Sequence, residues 1–258
     1  MDNLKHDMRT HGVKSREGSY FTDPAHMEIH LANQTRSAKF WKKVKKYQPL
    51  FGMIPFVKLV AVGNTLAING VGDNSDIDLF IVARQGRVWT ARMFLLLWLS
   101  VLRSRVQSTK KYMKFSPEFF VDETAMDLSQ FAIASDYYLN FWVADLVPVW
   151  GSEYFTKFWK SNRWLRESLP IAFRSPNIRP EFSRSPKHTG ARMTELVLGS
   201  GLGDTIEKWA RTQQQKIITK NLGRIGVNPS VITDHNVIKL HFNDRRGEIR
   251  DKLESALV

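Results

Sequence analysis

The stretch Asn74–Val82, which reads NSDIDLFIV, joins two carboxylates to a strongly apolar run. Successive side chains of a β-strand point to opposite faces, so residues two apart point the same way. Asp76 and Asp78 are therefore predicted to project from one face at the start of a buried strand. Two adjacent carboxylates in an apolar setting repel each other and lose hydration, and a divalent cation would relieve both costs. Oxygen ligands of this kind suit Mg²⁺.

The residues before this stretch predict a first strand and a tight turn. Val57–Val62 reads VKLVAV and is predicted to be a strand that ends at Gly63 and Asn64. Residues 65–69 favour a short helical turn, and the Gly-rich segment 70–75 is typical of a polar loop. The predicted order is thus strand, glycine turn, loop, and a second strand that starts at the carboxylates.

This order resembles the signature of the polymerase-beta-type nucleotidyltransferase superfamily, in which a hydrophobic-Gly-(Gly/Ser) turn precedes Asp-x-Asp. The chain also resembles uncharacterised bacterial nucleotidyltransferase-domain proteins through Phe119–Glu123, Asn162–Trp164 and Ile238–Arg245. It departs from the superfamily signature at Asn64, where Ser or Gly is usual. The resemblance implies an α/β (α+β) fold with a small mixed sheet and flanking helices, followed by a mostly helical C-terminal region.

The resemblance also implies a reaction. A nucleoside monophosphate would pass from a nucleoside triphosphate to an acceptor hydroxyl, with release of pyrophosphate and with Mg²⁺ or Mn²⁺ as cofactor. Asp76 and Asp78 would hold the metal, and Gly63 and Asn64 would contact the triphosphate. Ser75 would support either the loop or a phosphate, and the loop is the better interpretation. The acceptor stays open among RNA, a protein and a small molecule.

A rival interpretation is a nucleotidyltransferase fold that has lost catalysis and binds nucleotide, RNA or a partner protein. Asn64 motivates this rival, because its side chain is bulkier than the Ser or Gly of the signature. The superfamily usually has a third carboxylate, and this chain does not show clearly which residue supplies it, which motivates the rival further.

Glu118 and Asp122 compete for the place of that third carboxylate. They lie four residues apart, so regular alternation would put both on one side of a strand, roughly 13 Å from each other. A strand reached through a helical crossover tends to run parallel to the strand before it. The partner of Asp76 and Asp78 should then lie near the start of the next strand, which favours Glu118. Asp122 is instead suited to cap the helix that is predicted to follow.

The composition indicates a globular protein with a basic surface. The chain has 258 residues, 43% of them hydrophobic, and a formal net charge of +13. Lys and Arg exceed Asp and Glu in residues 1–55 and 151–258, whereas the charges balance in residues 56–150. A basic surface attracts polyanions, which favours RNA slightly as the acceptor. The chain has no cysteine, so it has no disulfide framework, and a cytoplasmic location is expected.

Residues 88–102 are very apolar, but a membrane span needs about 20 such residues. We expect a buried crossover helix here and no transmembrane span. Peripheral contact with a membrane through residues 88–106 and the basic flanks is a weaker third possibility. The oligomeric state is not indicated by the sequence.

The chain is predicted to divide into three parts. Residues 1–22 are polar and predicted to be a mobile tail, residues 23–150 form the nucleotidyltransferase-like domain, and residues 151–258 form the helical C-terminal region. Residues 170–190 hold four prolines and are predicted to be a linker or extended wrap.

Several further elements follow from local patterns. Asp23 is expected to cap a helix that runs to about Tyr47. Residues 127–147 have the spacing of one helix, and the glycines at 199–203 indicate a helix break. Residues 231–242 are interpreted as a short strand pair or an ordered loop. His241, in the latter segment, is a secondary candidate for the site.

Overall fold

A mixed six-stranded sheet organises the computed structural model, which describes residues 14–16, 19–21, 23–102, 112–182, 186–222 and 230–256. The strands are β1 (Lys14–Arg16), β2 (Ser19–Phe21), β3 (Val57–Val62), β4 (Ile77–Ala83), β5 (Phe115–Asp122), β6 (Val147–Trp150), β7 (Ser230–Thr233) and β8 (Val237–His241). The sheet order is β6-β3-β4-β5-β8-β7, and β1 pairs with β2 in a separate hairpin. Strands β4 and β5 are parallel, and every other pair is antiparallel.

Helices cover both faces of this sheet. The α-helices are α1 (Pro24–Phe51), α2 (Asn64–Ala67), α3 (Val88–Val101), α4 (Tyr137–Asp145), α5 (Ser152–Ser161), α6 (Leu165–Ser168), α7 (Pro170–Arg174), α8 (Thr189–Val197), α9 (Gly201–Leu222) and α10 (Arg246–Ala256). Short 3-10 turns occupy Leu128–Phe131 and Pro180–Phe182. The predicted fold class, a mixed sheet with flanking helices and a mostly helical C-terminal region, is confirmed.

The apolar side chains of β4 divide between two cores. Leu79 and Ile81 pack with α1, α3 and α9 on one face, whereas Phe80 and Val82 pack with α4, α5 and α6 on the other. A strand buried on both faces needs a nearly continuous apolar run, which explains the sequence of β4. Asp76 and Asp78 lie at the start of that apolar run, at the edge of the two cores.

The elements around the Asp-x-Asp stretch are confirmed. Strand β3 spans the predicted residues, α2 forms the predicted short turn, and α3 is the crossover between parallel strands β4 and β5. Asp23 caps α1 by accepting a hydrogen bond from the Ala25 N–H at 2.8 Å. In the described part of the chain, no helix combines the length and the apolar character that crossing a bilayer requires.

The prediction of one helix over residues 127–147 is wrong. Those residues form a 3-10 turn and then α4, which starts where Asp136 accepts the Leu139 N–H at 2.9 Å. Residues 147–150 form β6, which includes Pro148. Because β6 lies at the edge of the sheet, the missing N–H of Pro148 costs no central ladder hydrogen bond.

Helix α1 also runs past its predicted end. It continues through Pro49 to Phe51, whose side chain is buried in the core with Ile54. Burial of these apolar side chains outweighs the local preference to stop near Tyr47, since most helical stability in proteins comes from tertiary packing. The break at residues 198–200, between α8 and α9, is where the glycines predicted it.

The two ends of the chain contribute strands. Residues 231–242 form a strand pair, as one of the two interpretations expected, and β8 joins the sheet beside β5 through Phe119 and Lys239. Within residues 1–22, β1 and β2 form a hairpin that the sequence did not predict. The other residues of the predicted mobile tail lie outside the described residues.

Candidate functional site

Four strand ends meet at one edge of the sheet. Because β3 runs antiparallel to β4 and β4 runs parallel to β5, the end of β3 lies beside the starts of the other two. The Gly63 N–H donates to the Asp78 carbonyl at 3.1 Å, which joins the glycine turn to the Asp-x-Asp stretch. The end of β8, at His241, reaches the same edge because β8 runs antiparallel to β5. We call this edge, with Asp76, Asp78 and Glu118, the acidic mouth.

Two cavities open at the acidic mouth. The larger is a cleft of about 430 Å³ between α2 and α4. It is lined by Asn64, Thr65, Ile68, Ser75, Asp76, Asp78, Tyr138, Phe141, Trp142 and Asp145. Its volume falls within the range of small-molecule sites. Four of its side chains, at positions 138, 141, 142 and 145, lie on one face of α4.

The smaller cavity lies beneath the cleft. It has a volume of about 10 Å³, close to what a single water molecule needs. Asp78 lines both cavities, and Glu118, Ser116 and His241 line the smaller one. The structure therefore brings Asp76 and Asp78 together in the cleft, and Asp78 and Glu118 together below it.

A bulge in β5 separates the two candidate third carboxylates. Leu79 pairs with Pro117 and Phe80 pairs with Phe119, so Glu118 is an extra residue opposite no partner on β4. An extra residue interrupts the alternation of side chains and redirects the one that it carries. The expectation that Glu118 and Asp122 share a side by regular alternation therefore does not apply to this strand.

Asp122 lies at the opposite end of β5, where it pairs in register with Ala83. Its carboxylate accepts hydrogen bonds from the Gly86 N–H at 2.9 Å and from the Thr124 N–H and hydroxyl at 2.8 and 2.6 Å. The structure thus does not bring Asp122 to the acidic mouth. The side chain caps the turn at residues 123–124, whereas the alternative interpretation expected a helix at that point.

Asn64 lines both cavities, and Gly63 lines the smaller one. A Cβ at Gly63 would lie 3.1 Å from the indole nitrogen of Trp142 and 3.3 Å from Leu146, so packing of α4 against the turn explains the glycine. Asn64 has a φ of 53°, a left-handed conformation that Asn tolerates better than most residues. The Tyr138 hydroxyl donates to Asn64 Oδ1 at 2.9 Å and so ties the turn to α4.

Ser75 supports the loop that precedes the carboxylates. Its hydroxyl accepts the Gly72 N–H at 3.0 Å, and its carbonyl accepts the Met113 N–H at 3.1 Å. Its side chain also lines the cleft. These contacts agree with the loop interpretation of this residue.

Trp142 and Tyr138 line the cleft, although the spacing of residues 127–147 predicted only a helix and no site residue there. Trp142 is only 9% exposed, and its indole N–H has no hydrogen-bond partner among the described residues. A buried donor without a partner is costly, and such groups are uncommon in folded proteins. Aromatic residues spaced three and four apart predict a buried stripe, but the spacing does not tell whether that stripe faces a core or a cleft.

Burial changes the protonation of the groups near the cleft. It raises the pKa of Tyr138, with Asp78 adding to the effect, so the phenol keeps its proton at neutral pH. Burial also raises the pKa of Asp145 above its usual range. The pKa of His241 is lowered to about 4 by burial and then by Lys239, which makes the imidazole neutral at pH 7.

A buried ion-pair network supports this side of the mouth. Arg246 donates to Asp136 at 2.7 Å and to Asp244 at 2.8 Å, and the Arg246 and Asp136 side chains are 8% and 2% exposed. Hydrogen bonds from Arg246 hold the pKa of Asp244 well below its usual range. The network joins the start of α4 to the segment after β8. No local pattern indicates Arg246, because its partner Asp136 lies 110 positions away.

The donor set at the mouth suits a metal that binds together with its substrate. Mg²⁺ commonly takes one or two carboxylates and completes its shell with waters and phosphates. Asp76 and Asp78 supply two carboxylates. Among the residues that the structure describes, no three His, Cys, Asp or Glu side chains form a group that would hold a metal ion. The protein side of such a site is thus the carboxylate pair.

The lysines near the end of α1 have structural partners. Lys43 donates to the Met113 carbonyl at 2.5 Å, and Lys45 donates to the Glu181 carbonyl. Burial and nearby lysines lower the pKa of Lys43 to about 8. These contacts account for part of the basic cluster without a nucleic acid.

Comparisons of the chain with models of protein families, with curated proteins and with solved structures found no match.

Proposed function

We propose that this protein is a metal-dependent nucleotidyltransferase that moves a nucleoside monophosphate from a nucleoside triphosphate to an acceptor hydroxyl and releases pyrophosphate. The observation that carries the proposal is that Asp76 and Asp78 line one cleft together with Asn64, the residue that follows Gly63 in the glycine turn. Nucleotidyl transfer depends mainly on charge neutralisation and in-line placement, and paired carboxylates in a cleft of small-molecule size suit both needs.

Each residue of the mouth has a role in this proposal. Asp76 and Asp78 would hold Mg²⁺ or Mn²⁺, which when bound neutralises developing phosphate charge. Glu118 would complete the acidic set from below. The Tyr138 hydroxyl occupies Asn64 Oδ1, which leaves the amide N–H groups of Asn64 as donors to a triphosphate oxygen.

The surroundings of the cleft suit a nucleoside. Ile68 and Phe141 line it and are 57% and 55% exposed, so both present apolar surface to a ligand. The unpartnered indole N–H of Trp142 is buried against Gly63, so its acceptor would be an ordered water in the smaller cavity rather than a ligand in the cleft. The acceptor of the nucleotidyl group is open among RNA, a protein and a small molecule, and the net charge of +13 favours RNA.

A second candidate is a nucleotide- or RNA-binding module without catalysis. The absence of a three-carboxylate group among the described residues and the strained Asn64 favour it. The two candidates differ in turnover. Binding that persists without a divalent metal, together with no transfer of label, would favour the binding module.

The test incubates the purified protein with each α-labelled nucleoside triphosphate, Mg²⁺ or Mn²⁺, and cell RNA, protein extract and small-molecule extract. We expect label on one acceptor class, and we expect Asp76→Asn/Asp78→Asn to lower the rate roughly a thousandfold, since a bound metal supplies several kcal/mol of transition-state stabilisation.

The matched control is Asp73→Asn. Asp73 lies in the same loop, but its side chain is 80% exposed and pairs with Arg36. This variant should keep the rate of the unmodified protein. A folded Asp76→Asn/Asp78→Asn protein that transfers label at the normal rate would overturn the mechanism.

A further inference from the structure

Helix α8 and the first half of α9 expose large apolar side chains. On α8, Met193, Leu196 and Val197 are 57%, 74% and 59% exposed. On α9, Leu202 and Trp209 are 58% and 56% exposed and lie seven residues apart, which puts them on one side of the helix. We call these five side chains the α8–α9 face. Exposed apolar side chains that recur at helical spacing on two successive helices indicate an interaction surface.

The α8–α9 face continues into lysines. Lys216 and Lys220 follow Trp209 by seven and eleven residues, so they extend the same line along α9. Both side chains are exposed, and neither makes an ion pair in the part of the chain that the structure describes.

The acidic side chains of these two helices bind the body of the protein. Glu195 pairs with Lys187 at 2.9 Å, and Asp204 pairs with Arg87 at 2.7 Å. Glu207 accepts two backbone N–H groups at the start of α3, each at 2.8 Å. The unpaired charges beside the apolar side chains are therefore positive.

We propose that the α8–α9 face adsorbs to an anionic lipid surface. The apolar side chains would enter the boundary between headgroups and acyl chains, and Lys216 and Lys220 would meet the lipid phosphates. Trp209 suits this depth because an indole ring places its N–H in the polar layer and its body in the apolar one. The inference is independent of nucleotidyl transfer.

Charge complementarity favours this occupant over two others. A second copy of the chain would bring the same lysines to the interface, and like charges repel. A nucleic acid would match the lysines but would offer little to the aliphatic side chains of Leu196 and Val197. An anionic bilayer satisfies the cations and the aliphatic side chains together.

The test sediments the full chain with vesicles of phosphatidylcholine alone and of phosphatidylcholine mixed with phosphatidylglycerol. We expect binding to the anionic vesicles that weakens as salt is added. Lys216→Gln/Lys220→Gln should lower the partition coefficient by about tenfold or more, because each lysine contributes about fivefold near such a surface. Leu202→Ser/Trp209→Ser should lower it by about tenfold or more through lost insertion.

Two control proteins match these changes. Lys160→Gln/Lys252→Gln removes the same charge from exposed positions on α5 and α10, and Ile171→Ser removes an 82% exposed apolar side chain on α7. Both should bind as the unmodified protein does. Circular dichroism checks that all variants are folded.

Three results would overturn the proposal. One is no binding to anionic vesicles, and another is an equal loss of binding in the control and test lysine pairs. The third is concentration-dependent dimerisation, or RNA binding, that Leu202→Ser/Trp209→Ser abolishes while vesicles stay unbound.

Discussion

The two ends of the paired strands β4 and β5 carry acidic side chains in opposite settings. At the start of the pair, Asp76, Asp78 and Glu118 line cavities. At the other end, Asp122 is 2% exposed and accepts hydrogen bonds from two backbone N–H groups and a hydroxyl. A carboxylate surrounded by donors of its own chain serves the fold. Asp76, Asp78 and Glu118 instead border open space, where a ligand would meet them.

The strongest test of this contrast is Glu118→Gln. If the acidic mouth holds a metal, we expect the substitution to lower nucleotidyl transfer by about a hundredfold, because the neutral amide no longer offsets metal and phosphate charge. Stability should change little, since the amide oxygen still accepts the Ser116 hydroxyl that lies 2.8 Å away. Rates from labelled triphosphates and denaturant titration measure the two effects.

Glu153→Gln, at an exposed position on α5, is the control for Glu118→Gln. It removes the same charge far from the cleft and should leave the rate unchanged. Equal rates in all three proteins would show that Glu118 is not part of the site.

Asp122→Ala tests the other end of the strand pair. We expect the free energy of unfolding to fall by about 2–4 kcal/mol, because the Gly86 and Thr124 N–H groups lose a charged acceptor in a buried setting. Guanidinium titration measures the change. Any activity per folded molecule should be kept.

Asp127→Ala is the matched comparison for Asp122→Ala. Asp127 accepts the Ser129 N–H at 3.0 Å in a similar cap, but the cap is exposed. Its loss should cost about 1 kcal/mol. A similar cost at both positions would contradict the idea that burial makes the Asp122 cap important.

The third test measures protein stability as a function of pH. It concerns His241, which lines the smaller cavity. Burial lowers its pKa to about 4, whereas an unfolded histidine titrates near pH 6.5. Between these values the unfolded chain binds a proton that the native protein does not, so stability falls as pH drops through this window. The expected loss is about 2–3 kcal/mol by pH 4.

His241→Asn should remove this part of the pH dependence. The measurement is the free energy of unfolding at several pH values for the unmodified protein and the variant. His26→Asn, at an exposed position on α1, should keep the slope of the unmodified protein. An unchanged slope in His241→Asn would contradict the assignment.

The smallest expected effect is that of Tyr138→Phe. The substitution removes the hydrogen bond to Asn64 and should cost about 0.5–1.5 kcal/mol of stability. It also frees the Asn64 side chain, so a few-fold rise in KM for the nucleoside triphosphate is expected with little change in kcat. Tyr137→Phe, the neighbouring tyrosine of α4, is the control. A KM that does not move would separate the Tyr138–Asn64 contact from nucleotide binding.

The α/β fold around the mouth was predictable from local patterns. A run such as Leu79–Val82 indicates a buried strand, Gly63 and Asn64 indicate a turn, and residues 88–102 are long enough only for a covered helix. These signals lie within a few residues of each other, so periodicity and turn chemistry reveal them. The resemblance to nucleotidyltransferases rests on the same short segments and stays a proposal.

Other parts of the candidate site were not predictable in this way. Regular alternation along β5 would put Glu118 and Asp122 on the same side of the strand. Only the pairing with β4 reveals the bulge that separates them. The stripe of α4 with Tyr138 and Trp142 has the same spacing whether it faces a core or a cleft. Whether this stripe faces a core or a cleft depends on where α2 and the Asp-x-Asp strand lie.

By itself, the sequence determined the order of the central strands along the chain. It also determined the crossover helix and the carboxylate pair, because all of these follow from contacts between near neighbours along the chain. Only the tertiary structure separated the two candidate third carboxylates, with Glu118 near the pair and Asp122 at the other end of β5, and it added β8 and His241 to the same edge as the pair. It also paired the acids of α8 and α9 with groups on other elements and left Lys216 and Lys220 exposed. Those outcomes depend on partners such as Phe119 and Lys239, which are far apart in sequence and are brought together by burial of the shared cores.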